Sequence, residues 1–152
     1  MNRIVGFYDR GVAIAASRIA EALALFLLRI ALAGVFLRSG QTKVVEGSFF
    51  QIDPSQYDLF RSEFSGLPLD PVIAVPVTTF AEHFFPILLL FGLATRFSAG
   101  ALLVMTMVIQ IFVFPDAWWP VHSLWVAMAA ILIVRGGGLF SLDALFVRLR
   151  AK

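Results

Sequence analysis

The chain has 152 residues, of which 60% are hydrophobic and 14% charged, and its 12 basic and 10 acidic side chains leave a formal net charge of +2. Soluble domains are nearer half apolar and a quarter charged, so a water-soluble fold of this length would carry more apolar surface than its core could hide. The small net charge gives no support to a nucleic-acid partner, and the absence of cysteine excludes disulfides, thiolate metal sites, iron–sulfur ligation and a thiol relay.

Residues 1–18 place Arg3, Asp9, Arg10 and Arg18 among apolar residues, with Ile4, Phe7, Tyr8 and Val12 at helical spacing. This pattern predicts a helix lying in the membrane interface. No cleavable-signal pattern is present, so the first apolar helix is expected to act as its own insertion signal. The first span reads from about residue 19 to 37, with Arg29 near its middle and the exit marked by Gly40. Residues 41–70 are the one long polar stretch. Turn signals at Asp53-Pro54 and Gly66-Leu67-Pro68 predict a structured loop with a short helix over Pro54–Phe64.

A second span is predicted over 71–93. Asp70-Pro71 is a good helix start, and Pro76 and Pro86 inside it predict kinks. A tight turn at Thr95-Arg96 leads to a third span over 97–114, and Pro115-Asp116 to a fourth over 118–134. Gly136-Gly137-Gly138 then breaks the helix. Ser141 caps a terminal helix over 141–150, whose Leu142, Leu145, Phe146 and Leu149 make one apolar face. Each span is long enough to cross about 30 Å of hydrocarbon, and the short turns force antiparallel neighbours. The fold class expected is therefore an all-α membrane protein. It is a single domain over 1–152: an antiparallel four-helix transmembrane bundle with a structured outer loop and an amphipathic C-terminal interfacial helix.

Orientation follows from the basic residues. Arg3, Arg10, Arg18, Arg96, Arg135, Arg148, Arg150 and Lys152 fall on one side. Arg38, Lys43 and Arg61 fall on the other, diluted by acids. The positive-inside rule then puts both termini in the cytoplasm. Trp118, Trp119 and Tyr57 fit an aromatic belt on the outer face.

Ionisable groups at bilayer depth are costly unless paired or hydrated, so Arg29, Glu82 and His83 are the first candidates for function. Arg29 and Glu82 both lie near mid-span and are expected to pair, as a structural ion pair or as part of a polar pocket. His83 points about 100° away from Glu82 on a helix. It is either a proton carrier or a histidine hydrogen-bonded to a neighbour. Thr78 and Thr79 lie four residues before Glu82 and His83 and are positioned to supply hydroxyls. Gln110, His122 and Trp125 share a depth nearer the outer face, where they would line a shallow pocket. Two histidines raise the question of a bis-histidine haem, but their different depths argue against it. The 16 phenylalanines suit either lipid contact and bundle packing or a groove for a quinone ring. No nucleotide loop and no metal-ligand spacing stands out.

These segments resemble the DoxX family of four-span bacterial inner-membrane proteins. The resemblance is carried by Leu28-Arg29-Ile30 through Phe36, by Gly40 to Lys43, by Glu82 with Pro86 and by Leu88-Leu89-Leu90-Phe91-Gly92-Leu93-Ala94-Thr95-Arg96. It continues in Gly136-Gly137-Gly138-Leu139-Phe140-Ser141-Leu142-Asp143. Pro115-Asp116-Ala117-Trp118 and His122-Ser123-Leu124-Trp125 resemble a subgroup encoded beside small secreted metal-associated proteins and a partner enzyme. Arg29, Lys43, Glu82, Arg96 and Asp143 occupy family-motif positions. The resemblance implies association with quinone-linked oxidoreduction or with oxidative-stress complexes.

The expectation is thus a subunit of a redox or stress-response system in the inner membrane, possessing no nucleotide cofactor. Glu82 and His83 would exchange protons with a quinone or another small lipophilic substrate, and Arg29, Lys43, Gln110, His122 and Trp125 would bind it. Electrons would come from a soluble or membrane redox partner. Two rival readings stand beside it: a non-catalytic scaffold for partner proteins under metal or oxidative stress, and a small transporter working as a homodimer or higher oligomer.

Overall fold

The computed structural model describes residue 9 and residues 12–151. The interfacial helix expected over 1–18 lies largely outside the described residues; residues 12–15 are helical. The chain then builds α1 (Arg18–Gln41), α2 (Ser55–Ser62), α3 (Pro71–Phe91), α4 (Thr95–Phe112), α5 (Ser123–Arg135) and α6 (Leu142–Arg150). A 3₁₀ turn at Pro115–Ala117 and a π turn at Trp118–His122 lead directly into α5. Among the described residues, four segments are long and apolar enough to cross a bilayer: Arg18–Gln41, Pro71–Phe91, Thr95–Phe112 and Pro115–Arg135. The protein is an all-helical, multi-pass membrane bundle.

Local chemistry sets the helix ends. Ser17 caps α1 by accepting the Ala20 amide, Asp70 caps α3 by accepting that of Val72, and Ser141 caps α6 by accepting that of Ala144. α3 continues as one helix through Pro76 and Pro86. It ends in a Schellman turn, with Leu93 N–H bonded to Leu88 O at 2.9 Å and Gly92 N–H to Leu89 O at 3.0 Å. Gly92 takes φ +66° there. Ala94 follows at φ +48°, an uncommon left-handed position for a residue with a Cβ. Asp143 holds it in place, accepting the amides of Ala94 and Thr95 at 2.8 Å each. The turn therefore lies at 92–94, and Thr95 opens α4 instead of forming the tight turn expected at Thr95-Arg96.

Packing follows the logic of lipid as solvent. Large apolar side chains do not gain by moving from lipid to the interior, so close approach of small residues drives association. Ala33, Ala74, Ala99 and Ala129 are each no more than 2% exposed, whereas Phe97, Val104 and Ile111 are each more than 60% exposed to the surroundings. The central core combines Leu25, Leu32, Phe36, Leu89, Leu102 and Leu132 from four helices. A second cluster, Phe60 with Ala74 and Val75, seats the loop helix α2 on α3.

The bundle has two unlike ends. The loop end carries residues 42–70. There a single antiparallel bridge joins Val44 to Ile52, and Asp53 N–H bonds Lys43 O at 3.0 Å, which fixes the chain around Lys43. The arginine end carries Arg96, Arg135 and Arg148.

Candidate functional site

Lys43 is the residue on which the site is built. It lies just past the end of α1, and its backbone is held by Asp53. Its ammonium donates to Glu82 Oε2 at 2.7 Å and to Ser39 Oγ at 3.2 Å. Ser39 Oγ in turn donates to Glu82 Oε1 at 3.2 Å. Both side chains of the ion pair are almost wholly buried, with 9% and 3% of their surfaces exposed. A buried pair of this kind is stable only when its remaining lone pairs and protons are also used, and Ser39 does that.

This pair forms one wall of a cavity of ≈ 340 Å³ at the loop end. The volume lies within the range of about 300–1,000 Å³ typical of small-molecule sites. Phe60 and Phe64, stacked at 4.4 Å, form part of its lining from the loop helix. Phe36, Val77, Met105 and Trp125 contribute apolar surface from the bundle. His122 reaches the same cavity, its ring 5.0 Å from that of Trp125. Among the described residues, Lys43 and Glu82 are the only charged ones in the lining.

His122 is oriented by Gln110. The Gln110 amide donates to Pro115 O at 2.6 Å, so its oxygen is left to accept from His122 Nδ1–H at 2.8 Å. That bond requires the Nδ1–H tautomer and leaves Nε2 as the free basic nitrogen. His122 is the last residue of the π turn at Trp118–His122 and is buried there.

Of the residues singled out in the sequence, the structure brings Lys43, Glu82, His122 and Trp125 to one cavity. Gln110 stands behind His122. Two others are placed elsewhere. Arg29 does not pair with Glu82. It is wholly buried toward the arginine end, donating to Leu89 O at 3.3 Å and to Phe140 O. The reason is register. Residue 29 of α1 lies against 89 of α3, whereas residue 39 lies against 82. Seven residues separate Glu82 from Leu89, about 10 Å along a helix. His83 turns away from the cavity. Its Nδ1–H donates to Thr79 O at 2.8 Å, and its Nε2 is buried with no partner among the described residues. The ring packs on Gly40, where a Cβ would come within 2.8 Å of it. Glu82 and His83, next to each other in sequence, therefore do not act at one point.

Thr78 and Thr79 return their hydroxyls to carbonyls one turn back in α3 and add no free donor. Ser39 was not foreseen, although its position four residues before Lys43 puts both on one helical face. Phe60 and Phe64 carry the same signal in the loop helix, an aromatic pair at four-residue spacing.

Taken together, these features define a polytopic membrane bundle with a lipophilic cavity and a buried ion pair at one end. The DoxX family model matches residues 24–116, and the chain belongs to the DoxX family. It is 32% identical over 142 residues to an uncharacterized protein of Haemophilus influenzae, covering 84% of this chain and 85% of that one. No solved structure matches it.

Proposed function

We propose that this protein is the membrane subunit of a redox system and that it binds a quinone or a similar small lipophilic carbonyl compound in the loop-end cavity. The observation that supports this most directly is the combination of an apolar cavity with a single buried Lys43–Glu82 pair in its wall. An apolar ring gains from such walls, and a carbonyl oxygen gains from a desolvated ammonium donor. Reduction of a quinone to the hydroquinone takes two electrons and two protons. Lys43 would deliver one proton to one oxygen and be reprotonated through Glu82, and His122, first charged at Nε2 from water at the outer face, would deliver the second. The electrons would come from a redox partner protein. Arg29 and His83 have no direct part in this scheme. With the termini in the cytoplasm of a bacterial inner membrane, the cavity belongs to the outer face.

The Trp125 indole in the cavity wall supplies the test. Purified protein carrying Trp118→Phe and Trp119→Phe is titrated with a short-chain ubiquinone and a short-chain menaquinone, and extracted for bound quinone. Saturable quenching of Trp125 that weakens at least tenfold in Glu82→Gln is the expected result. Absence of both extracted quinone and saturable quenching sinks the reading, as does equal binding by Glu82→Gln.

A second reading, a non-catalytic scaffold, draws on Phe49 and Phe50, which are 67% and 85% exposed at the tip of the loop. Exposed aromatic pairs of this kind anchor protein partners or interfacial lipid. Partners that co-purify with the native chain and are lost on Phe49→Ser/Phe50→Ser, with no ligand in the cavity, favour that reading.

A further inference from the structure

The opposite end of the bundle holds a second, larger cavity of ≈ 650 Å³, which plays no part in the scheme above. Its walls come from the start of α4, the glycine loop after α5, and α6. Arg96, Arg135 and Arg148 all line it. Asp143, the one acid in the lining among the described residues, has both oxygens committed to the amides of Ala94 and Thr95. Arg135 is paired with Glu21. Arg96 spends one Nη on Ile133 O, leaving its Nε and second Nη toward Gly136, and Arg148 has no ion pair among the described residues. The walls therefore hold donor groups in excess of acceptors.

Thr95 opens α4 beneath the cavity floor and is 0% exposed. Its amide and that of Ala94 are taken up by Asp143, so the cavity's anion donors are the arginine side chains. At the rim, Phe97 and Val147 are each 68% exposed and apolar. A ligand that satisfies all of this has an oxyanion for the arginines and a hydrocarbon part for the rim.

We propose that this cavity is a binding site for the phosphate of an anionic phospholipid headgroup, with Arg96 and Arg148 as its principal contacts. The glycerol and acyl portions then pass Phe97 and Val147 into the surrounding lipid. A soluble phosphate would use the same donors but not the rim.

The test uses the full chain in phosphatidylcholine nanodiscs with and without phosphatidylglycerol, followed by extraction and native mass spectrometry of retained lipid. Phosphatidylglycerol should be retained over phosphatidylcholine and should resist displacement by inorganic phosphate. Retention should fall about fivefold for each arginine removed, in Arg96→Gln and Arg148→Gln. Arg38→Gln/Arg61→Gln at the loop end, equal in charge change, should leave it intact. Unfolding temperatures in phosphatidylcholine alone identify any variant that fails to fold, and Arg148→Gln, exposed and unpaired, remains informative in any case. Three results overturn the proposal. One is no preference for phosphatidylglycerol. Another is a preference untouched by Arg96→Gln and Arg148→Gln. The third is stabilisation by inorganic phosphate alone, with nothing added by the anionic lipid.

Discussion

Lys43 Nζ lies 2.7 Å from Glu82 Oε2, joining the exit of the first span to the middle of the second. Neither charge has an adequate substitute partner, because Ser39 is neutral and His83 faces elsewhere. Removing one member of a buried pair leaves an uncompensated charge, at a cost of about 3–5 kcal/mol. Lys43→Met should therefore lower stability by that order. Lys43→Met/Glu82→Gln should recover most of it, since no charge is then left in the wall. Reversible unfolding in mixed micelles, arranged as a double-mutant cycle, reads the coupling. Additive single effects would show that the pair is not the unit that matters.

Gly92 makes a sharper prediction. At φ +66° a Cβ there would come within 2.5 Å of Ser141 Cβ and would overlap the Arg29 guanidinium. Gly92→Ala must both strain the turn and dislodge Arg29 from Leu89 O and Phe140 O. A loss of about 3 kcal/mol or more is expected, from the left-handed conformation plus a broken charged hydrogen bond. Thermal unfolding would check it; a change below about 1 kcal/mol would show that the turn opens without consequence.

Gln110 should act on the cavity through His122 alone. Gln110→Ala removes the oxygen that fixes the Nδ1–H tautomer, so ¹⁵N imidazole shifts should move from one tautomer to a mixture. Gln110→Glu keeps an acceptor at that place and should keep the tautomer. If the cavity binds quinone as proposed, affinity should fall with the first substitution and hold with the second. An unchanged tautomer in Gln110→Ala would remove the positioning role.

The loop helix carries a pH dependence of known sign. The hydroxyl and amide of Ser55 hold the Asp53 carboxyl below the usual carboxylate range. A carboxyl depressed in the folded state contributes stability above its unfolded value and loses it as pH falls through the folded value. The start of α2 should thus stay closed in mild acid and loosen in strong acid. Amide exchange at Ser55 should report it, and Asp53→Asn should abolish the dependence.

The four spans were legible because each is a run of apolar residues bounded by prolines, glycines and arginines. Ser141 and Asp70 as caps were legible for the same local reasons. What could not be read was the depth of one helix against another. Arg29 and Glu82 both counted as mid-span, yet the helices are offset so that 29 faces 89. The true acceptors of Arg29 are backbone carbonyls, which carry no side-chain signature. Asp143 stands out in the sequence only as a family-motif position; its carboxylate acts on the start of α4, 48 residues earlier. Gln110 and His122, counted to the same depth on neighbouring spans, do bond each other, because a short connection leaves little freedom in offset.

The anchoring of Arg29 also bears on how the protein is made. Phe140, one of its two acceptors, follows it by 111 residues. At about 5–20 residues per second, the ribosome delivers that acceptor roughly 5–20 s after the arginine. During that interval the first span holds a guanidinium that cannot settle in hydrocarbon, so it must stay near water or translocon walls. Chains cut short before Phe140 therefore keep Arg29 with one of its two acceptors missing.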